Sequence, residues 1–281
     1  MSGQILDGKL VSEKLLDEIA KKISKRTQKG HKAPGLAVVL VGDNPASEIY
    51  VRNKVRACDK VGINSKSYKL PRTVSETELF HLIDELNEDE NIHGILVQLP
   101  LPKHINETHV TNRIHPNKDV DGFHAENVGR LALRQPGLRP CTPRGVMTLL
   151  HEYKIIPKSK HCVIVGASNI VGRPLLLEML YHGATVTCCH RFTKDLEKHV
   201  RSADILCVAI GKTGIVKSNW IPKDCIVVDI AINRNENGKI CGDVEFDEIK
   251  DKVAMITPVP GGVGPMTVAT LMQNTYEASL L

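Results

Sequence analysis

Apolar and polar positions alternate along this chain in two rhythms. Val11, Leu15, Ile19 and Ile23 recur every four residues, the spacing of one helix face. Residues 36–41 form an unbroken apolar run that reads as a buried strand, and Gly42-Asp43-Asn44-Pro45 is turn chemistry. A helix from Pro45 to about Val61 follows, then a strand at 65–70 and a helix at 75–86 with Ser75 as its N-cap. The strand at 94–98 is stopped by Leu99-Pro100-Leu101-Pro102.

A second series begins after Asp121-Gly122. Thr142-Pro143 opens a helix, with Thr142 as the expected N-cap. Strands are expected at 161–165, 184–188, 205–210, 226–230 and 255–259, and a terminal helix follows Pro260-Gly261-Gly262-Val263-Gly264-Pro265. Repeated strand–helix units imply an α/β fold with parallel sheets covered by helices. Two α/β domains are expected. The first covers residues 1–122; the second, at 123–264, is Rossmann-like and doubly wound; a catalytic cleft lies between them. The helix at 265–281 returns to the first domain.

Composition excludes several classes. Apolar residues make up 42% and charged residues 25% of the 281, an ordinary globular balance and not that of a disordered or fibrous chain. Subtracting 32 acidic from 37 basic residues gives +5, but the positive charge is spread rather than clustered, so no nucleic-acid partner is expected. The longest apolar run is far too short to span a bilayer, and the first 30 residues lack a signal-peptide pattern, so no membrane partner and a cytoplasmic location are expected. The eight cysteines contain no Cys-x-x-Cys pair, and no histidine–cysteine group has zinc spacing, so the thiols read as reduced core residues and no metal is expected.

Candidate chemistry starts at residues 166–172, between a strand and a helix. Gly166, Ala167, Ser168, Asn169 and Ile170 form a loop of the kind that holds a pyrophosphate against a helix N-terminus. On spacing alone a tight strand–helix turn that binds nothing is the lesser alternative, kept open because Ser168 stands at the second glycine position of the dinucleotide fingerprint. The end of the next strand reads Cys188-Cys189-His190-Arg191-Phe192-Thr193. The carboxylate that accepts from a ribose 2′-OH is missing, and Arg191, with His190 and Thr193 beside it, suits a 2′-phosphate; this favours NADP over NAD. Gly211-Lys212-Thr213 looks like the tail of a P-loop, but Leu206 occupies the required upstream glycine position, so no ATP site is expected there.

Ser47, Tyr50 and Lys54 share a helix face at i, i+3 and i+7. Taken alone, they read as the solvated face of an amphipathic helix, with Glu48, Arg52 and Lys60 around them. Gln98 changes that reading. It stands at a strand's C-terminal end, where ligands bind open α/β sheets, and the prolines after it force the chain to turn. Asp119-Val120-Asp121-Gly122 adds carboxylates near the expected domain junction; Asp119 serves equally as a turn residue, and Asp121 is favoured as the functional one.

Five stretches together resemble the bifunctional methylenetetrahydrofolate dehydrogenase/methenyltetrahydrofolate cyclohydrolase family across essentially the whole chain. They are Tyr50-Val51-Arg52-Asn53-Lys54, residues 94–102, Asp119-Val120-Asp121-Gly122-Phe123-His124, residues 166–174 and residues 257–265. The resemblance implies oxidation of 5,10-methylenetetrahydrofolate by NADP, then hydrolysis of the 5,10-methenyl cation to 10-formyltetrahydrofolate. It implies Lys54 as the acid–base residue, Tyr50 as a contact to the folate ring, Gln98 as the partner of Lys54, and Asp121 as an anchor for the pterin. Ser47, Leu99, Pro260, Gly261 and Gly262 are implied in substrate binding, and Ile232 joins the loop residues and Arg191 at the cofactor. It also implies cis bonds before Pro100 and Pro260, and a homodimer built through the nucleotide domain.

The roles suit the residue types. Water attack on a cationic carbon needs a proton acceptor, and a cationic product disfavours a charged lysine beside it. Tyr50 offers a flat apolar face, and Asp121 can accept two N–H bonds from an aminopyrimidinone edge. Two positions depart from the family. Ala167 stands where many members have arginine, and Ala231 stands where glycine is common; if that position needs a positive φ or touches the nicotinamide, slightly weaker cofactor binding is expected. Two alternatives remain at this point: a dehydrogenase without useful cyclohydrolase activity, and a silent nucleotide-binding protein.

Overall fold

The structure is a computed structural model and describes residues 3–235 and 238–281. The elements up to the middle of the chain are β1 (Gln4–Ile5), α1 (Gly8–Thr27), β2 (Gly35–Val41), α2 (Pro45–Val61), β3 (Asn64–Leu70), α3 (Glu76–Glu88), β4 (Gly94–Val97), α4 (Glu107–Arg113) and α5 (Ala125–Ala132). Then come α6 (Cys141–Glu152), β5 (His161–Val165), α7 (Gly172–Tyr181), β6 (Thr185–Cys189), α8 (Leu196–Arg201), β7 (Ile205–Val208) and β8 (Ile226–Asp229). The last are β9 (Asn233–Arg234), β10 (Ile240–Cys241), α9 (Phe246–Ile249), β11 (Met255–Ile256) and α10 (Val263–Ala278).

The chain divides into two compact units. One joins Glu13–Cys141 to Val268–Leu281. Its sheet runs β3-β2-β4, all parallel. Successive side chains of β2 point to opposite faces, so its fully buried apolar run feeds two cores. Leu36 and Val38, with Leu96, pack against Ile19 and Ile23 of α1, Ala57, Cys58 and Val61 of α2, and Leu271 and Met272 of α10. Ala37, Val39 and Val41, with Ile95 and Val97, pack against Leu79, Ile83 and Leu86 of α3 and Val110 of α4. Ser75 caps α3 in a full capping box with Glu78, as the Ser-x-x-Glu spacing predicts.

The other unit comprises the described parts of Met1–Ser12 and Thr142–Thr267. Among the described residues its main sheet runs β1-β11-β8-β7-β5-β6, all parallel. From β5 the chain goes one way to β6 and then returns to β7 on the opposite side, so the strand order reverses at β5. That is where a doubly wound sheet opens a ligand crevice. Val163, Val165, Leu206, Val208, Val227 and Ile256 form a core on one face, with Cys225 as a buried thiol within it, and Cys162 and Cys207 are buried thiols of the same strands outside that cluster.

Some elements differ from expectation. The first twelve residues lie with the second unit, because β1 pairs in parallel with β11 and the Leu6 N–H donates to the Ile256 carbonyl (2.8 Å). Residues 123–141 stay with the first unit. Thr142 is not an N-cap: α6 already begins at Cys141, and the Thr142 hydroxyl pairs with that of Thr267 (3.0 Å). The strand expected over 255–259 ends at Ile256, because Pro258 and Pro260 have no N–H for a ladder.

Candidate active site

The site in the first unit is built on two adjacent parallel strands. After β2 the chain turns at Gly42, and Asn44 Oδ1 accepts the Ser47 N–H (3.3 Å), while Pro45 occupies the first helical position of α2. The helix therefore starts at a fixed point above the sheet, and Ser47, Tyr50 and Lys54 lie along one of its faces. Ser47 is buried, Tyr50 is 38% exposed, and Lys54 is only 7% exposed. Partial burial pushes the Tyr50 phenol up. The depth of Lys54 excludes the solvated-face reading of this helix.

Lys54 Nζ donates to Gln98 Oε1 at 3.0 Å. The Gln98 N–H donates to Val39 O (2.8 Å), so the residue is still held in the ladder just past β4. Its Nε2 donates to Leu99 O (2.7 Å), which fixes the amide with its oxygen toward the lysine. Leu99–Pro100 is cis, and the chain leaves the sheet there. A buried lysine amine thus meets a neutral acceptor that can orient it without adding a charge of its own.

Asp119 and Asp121 take different parts. Asp119 is buried, and its carboxylate accepts from the Gly122 N–H (3.1 Å), the His124 N–H (2.8 Å) and Asn127 Nδ2 (2.9 Å). It builds the turn that presents Asp121. Burial pushes the pKa of both carboxyls up, and at Asp121 the charge of Lys54 opposes that rise. Buried Asn274 of α10 donates to Val120 O (2.8 Å) and Arg139 O (2.9 Å), tying down the backbone on either side of this turn. Lys54, Gln98 and Asp121 are therefore brought together from α2, the end of β4 and a loop, with Ser47 and Tyr50 on the lysine's own helix face.

The nucleotide loop lies in the second unit, at the C-terminal end of β5. Gly166 has φ +124°, and a Cβ there would sit 2.2 Å from Ala209 O; one on Gly172 would sit 1.9 Å from Gly166 O. Ser168 Oγ accepts the N–H groups of Val171 (3.2 Å) and Gly172 (3.4 Å) as α7 begins, and Asn169 and Ile170 are exposed at the tip. This is a close-packed cradle with a helix N-terminus behind it, which fits a dinucleotide pyrophosphate.

The Gly166 N–H donates to Cys189 O (2.9 Å), so the turn after β6 abuts the loop. That turn is closed by the His190 N–H on Thr193 Oγ1 (2.9 Å), and exposed Arg191 lies 4.6 Å over the Phe192 ring. Sequence reasoning missed Arg173. Its Nε donates to Ala167 O (3.2 Å), and its charge acts on the Cys188 thiol at the end of β6. The arginine immediately after Gly172 was the available signal. Arg173 thus reaches back to a loop whose own position 167 carries a methyl, while Arg191 stands in the turn that abuts it.

Ile232 is exposed after β8, and Ala231 is not among the described residues with positive φ, so the expected backbone cost at that position is absent. Val259–Pro260 is cis, Gly261 has φ +107°, and Gly261 O accepts the Lys9 N–H (2.9 Å). Pro260 is exposed, Gly261 half-buried and Gly262 buried.

Fold and site together define a two-unit α/β enzyme: a Rossmann-like nucleotide unit, and a catalytic unit with a buried lysine paired to a half-buried glutamine. Residues 6–121 match the model of the tetrahydrofolate dehydrogenase/cyclohydrolase catalytic domain, and residues 140–280 match that of the family's NAD(P)-binding domain. The chain belongs to the tetrahydrofolate dehydrogenase/cyclohydrolase family. It is similar to the bifunctional methylenetetrahydrofolate dehydrogenase/cyclohydrolase FolD of Campylobacter jejuni (49% identity, 99% of each chain covered, TM-score 0.97). It also resembles a 5,10-methylenetetrahydrofolate dehydrogenase from the silkworm Bombyx mori (38% identity, 99% and 98% covered, TM-score 0.94). The Trypanosoma brucei dehydrogenase-cyclohydrolase, solved with NADP and an inhibitor, is 34% identical (100% and 99% covered, TM-score 0.94).

Proposed function

We propose that this chain oxidises 5,10-methylenetetrahydrofolate with NADP and hydrolyses the resulting 5,10-methenyl cation to 10-formyltetrahydrofolate, with Lys54 as the proton-handling residue. The observation that carries the reading is the buried Lys54 Nζ held at 3.0 Å by an oriented Gln98 amide. The loop at 166–170, with Arg191, Arg173 and Ile232, would hold the cofactor. Bound there, NADP supplies the hydride acceptor.

The chain's own residues do the rest. Water adds to the methenyl carbon as Lys54 takes one proton; the carbon–N5 bond then breaks, N5 takes up a proton while the new hydroxyl gives up its own to become the formyl oxygen, and the formyl group stays on N10 with one proton released overall. Gln98 keeps the lysine pointed at that carbon. Asp121 accepts from the donor edge of the pterin, and its raised carboxyl is drawn to the ionised form by that pairing. Tyr50 stacks on the folate, and Ser47, Leu99, Pro260, Gly261 and Gly262 are assigned to substrate contact. Such an enzyme serves one-carbon metabolism. A cytoplasmic location suits the eight cysteines, none of which is in a disulfide among the described residues. We read the active species as a homodimer.

The test mixes purified protein with 5,10-methylenetetrahydrofolate and follows absorbance, with NADP and NAD in parallel. Reduction of NADP without lasting methenyl accumulation is expected. Methenyl accumulation would leave a dehydrogenase alone, faster turnover with NAD would reverse the cofactor assignment, and no turnover by folded protein would sink the reading.

A further inference from the structure

A second polar network lies in the nucleotide unit, outside the chemistry described above. Asp243, just after β10, is 1% exposed. Its Oδ2 accepts the N–H groups of Ile210 (2.6 Å) and Gly211 (3.1 Å), and its Oδ1 accepts the Lys212 N–H (2.9 Å) and Asn233 Nδ2 (2.8 Å). The first three donors are consecutive residues of the loop that leaves β7. The fourth belongs to the segment that leaves β8. One carboxylate therefore ties together two loops at the C-terminal ends of adjacent parallel strands, the edge where such sheets take ligands.

Asp243 is itself fixed. Its N–H and that of Val244 donate to the two carboxylate oxygens of buried Asp229, each at 3.0 Å. Gly242 is needed for that approach, because a Cβ there would lie 1.8 Å from Asp229 Oδ2. The β7 loop also backs the nucleotide cradle, since Ala209 O fills the space that a Gly166 side chain would take. Three successive N–H groups converge on one anion only while that loop keeps its turn, and without the carboxylate they would lose their shared acceptor.

We infer that Asp243 is a positioning residue for the dehydrogenase step: it holds the β7 and β8 loops, with Ile232 and Asn233, in the shape that receives NADP. The inference rests on the NADP reading above. Asp243 belongs to the nucleotide unit and Lys54, Gln98 and Asp121 to the other, so its role separates the two activities.

Two variants test it. Asp243→Asn keeps the volume but turns one acceptor into a donor facing N–H groups. Asn233→Ala cuts the link between the loops and leaves the three backbone bonds in place. For Asp243→Asn, a fluorescence titration with NADPH should show Kd raised about tenfold, with dehydrogenase kcat/KM down by a similar factor. Hydrolysis of supplied 5,10-methenyltetrahydrofolate should stay within about twofold of wild type. Asn233→Ala should show the same split, reduced in size, and it decides the matter if Asp243→Asn does not fold. Unchanged NADPH binding in the folded variants, or equal loss of both activities, overturns the inference. A wild type lacking both activities would instead refute the functional reading, and the NADPH titration would still judge the positioning role.

Discussion

At the scale of single residues, the sharpest assignment is Lys54. Methionine at this position keeps the length and the apolar stem but has no proton to give or take. Lys54→Met is expected to lower methenyl hydrolysis by at least about 100-fold, the ordinary worth of a placed acid–base group. NADPH affinity should not move, since the cofactor residues lie in the other unit. A loss smaller than about tenfold would remove Lys54 from the proton-handling role. Helical spacing placed Lys54 and the prolines that end a strand placed Gln98, but their pairing was legible only through the resemblance to the family, since nothing in either stretch points to the other. The partners of Asp119 and Asp243 were not, because their acceptors face backbone N–H groups that leave no mark on residue type. Arg173 was hidden for another reason: an arginine one step inside a helix is ordinary until its Nε is seen on Ala167 O.

At the scale of elements, long periodic segments such as α1, α2, α3 and β2 were readable, since several turns or one unbroken apolar run carry the signal. The two-residue strands β1 and β11 were not, and with them went the placement of the first twelve residues. Their pairing is a tertiary fact, set by partners far apart in sequence. The junction of β8 with the segment after β10 is also tertiary, and it makes a stability prediction. Burial pushes the Asp229 carboxyl up to about 7, against the pull of its two N–H donors. An unfolded aspartate titrates near 3.9. Between those values the folded chain binds the extra proton, so this group's contribution to stability is fully present below about pH 4 and is lost as pH rises through about 7. At about 1.4 kcal/mol per pH unit, the loss is roughly 4 kcal/mol. Chemical denaturation at pH 4 to 8 should show wild type losing stability relative to Asp229→Asn over that window, with the difference level above it. Parallel curves would mean that the carboxyl titrates normally.

At the scale of the whole molecule, the doubly wound sheet ends in an edge. β6 is its outermost strand beside β5, and an unpaired strand edge is a template for a second chain unless it is covered. The Thr185 N–H donates inward, to Lys160 O (2.9 Å), so by the alternation of a strand the N–H groups of Val186 and Cys188 point away from β5. Lysine and proline, the usual devices against edge pairing, are absent from Thr185–Cys189, which reads Thr-Val-Thr-Cys-Cys. Pairing of this edge with the same edge of a second copy would be isologous and would close as a dimer. Val186→Pro removes an outward N–H and spares the inward ladder, a place where a strand tolerates proline. Sedimentation should show the wild type as a dimer and Val186→Pro as a folded monomer. A wild type that sediments as a monomer refutes the homodimer, and a variant that stays dimeric moves the interface off β6.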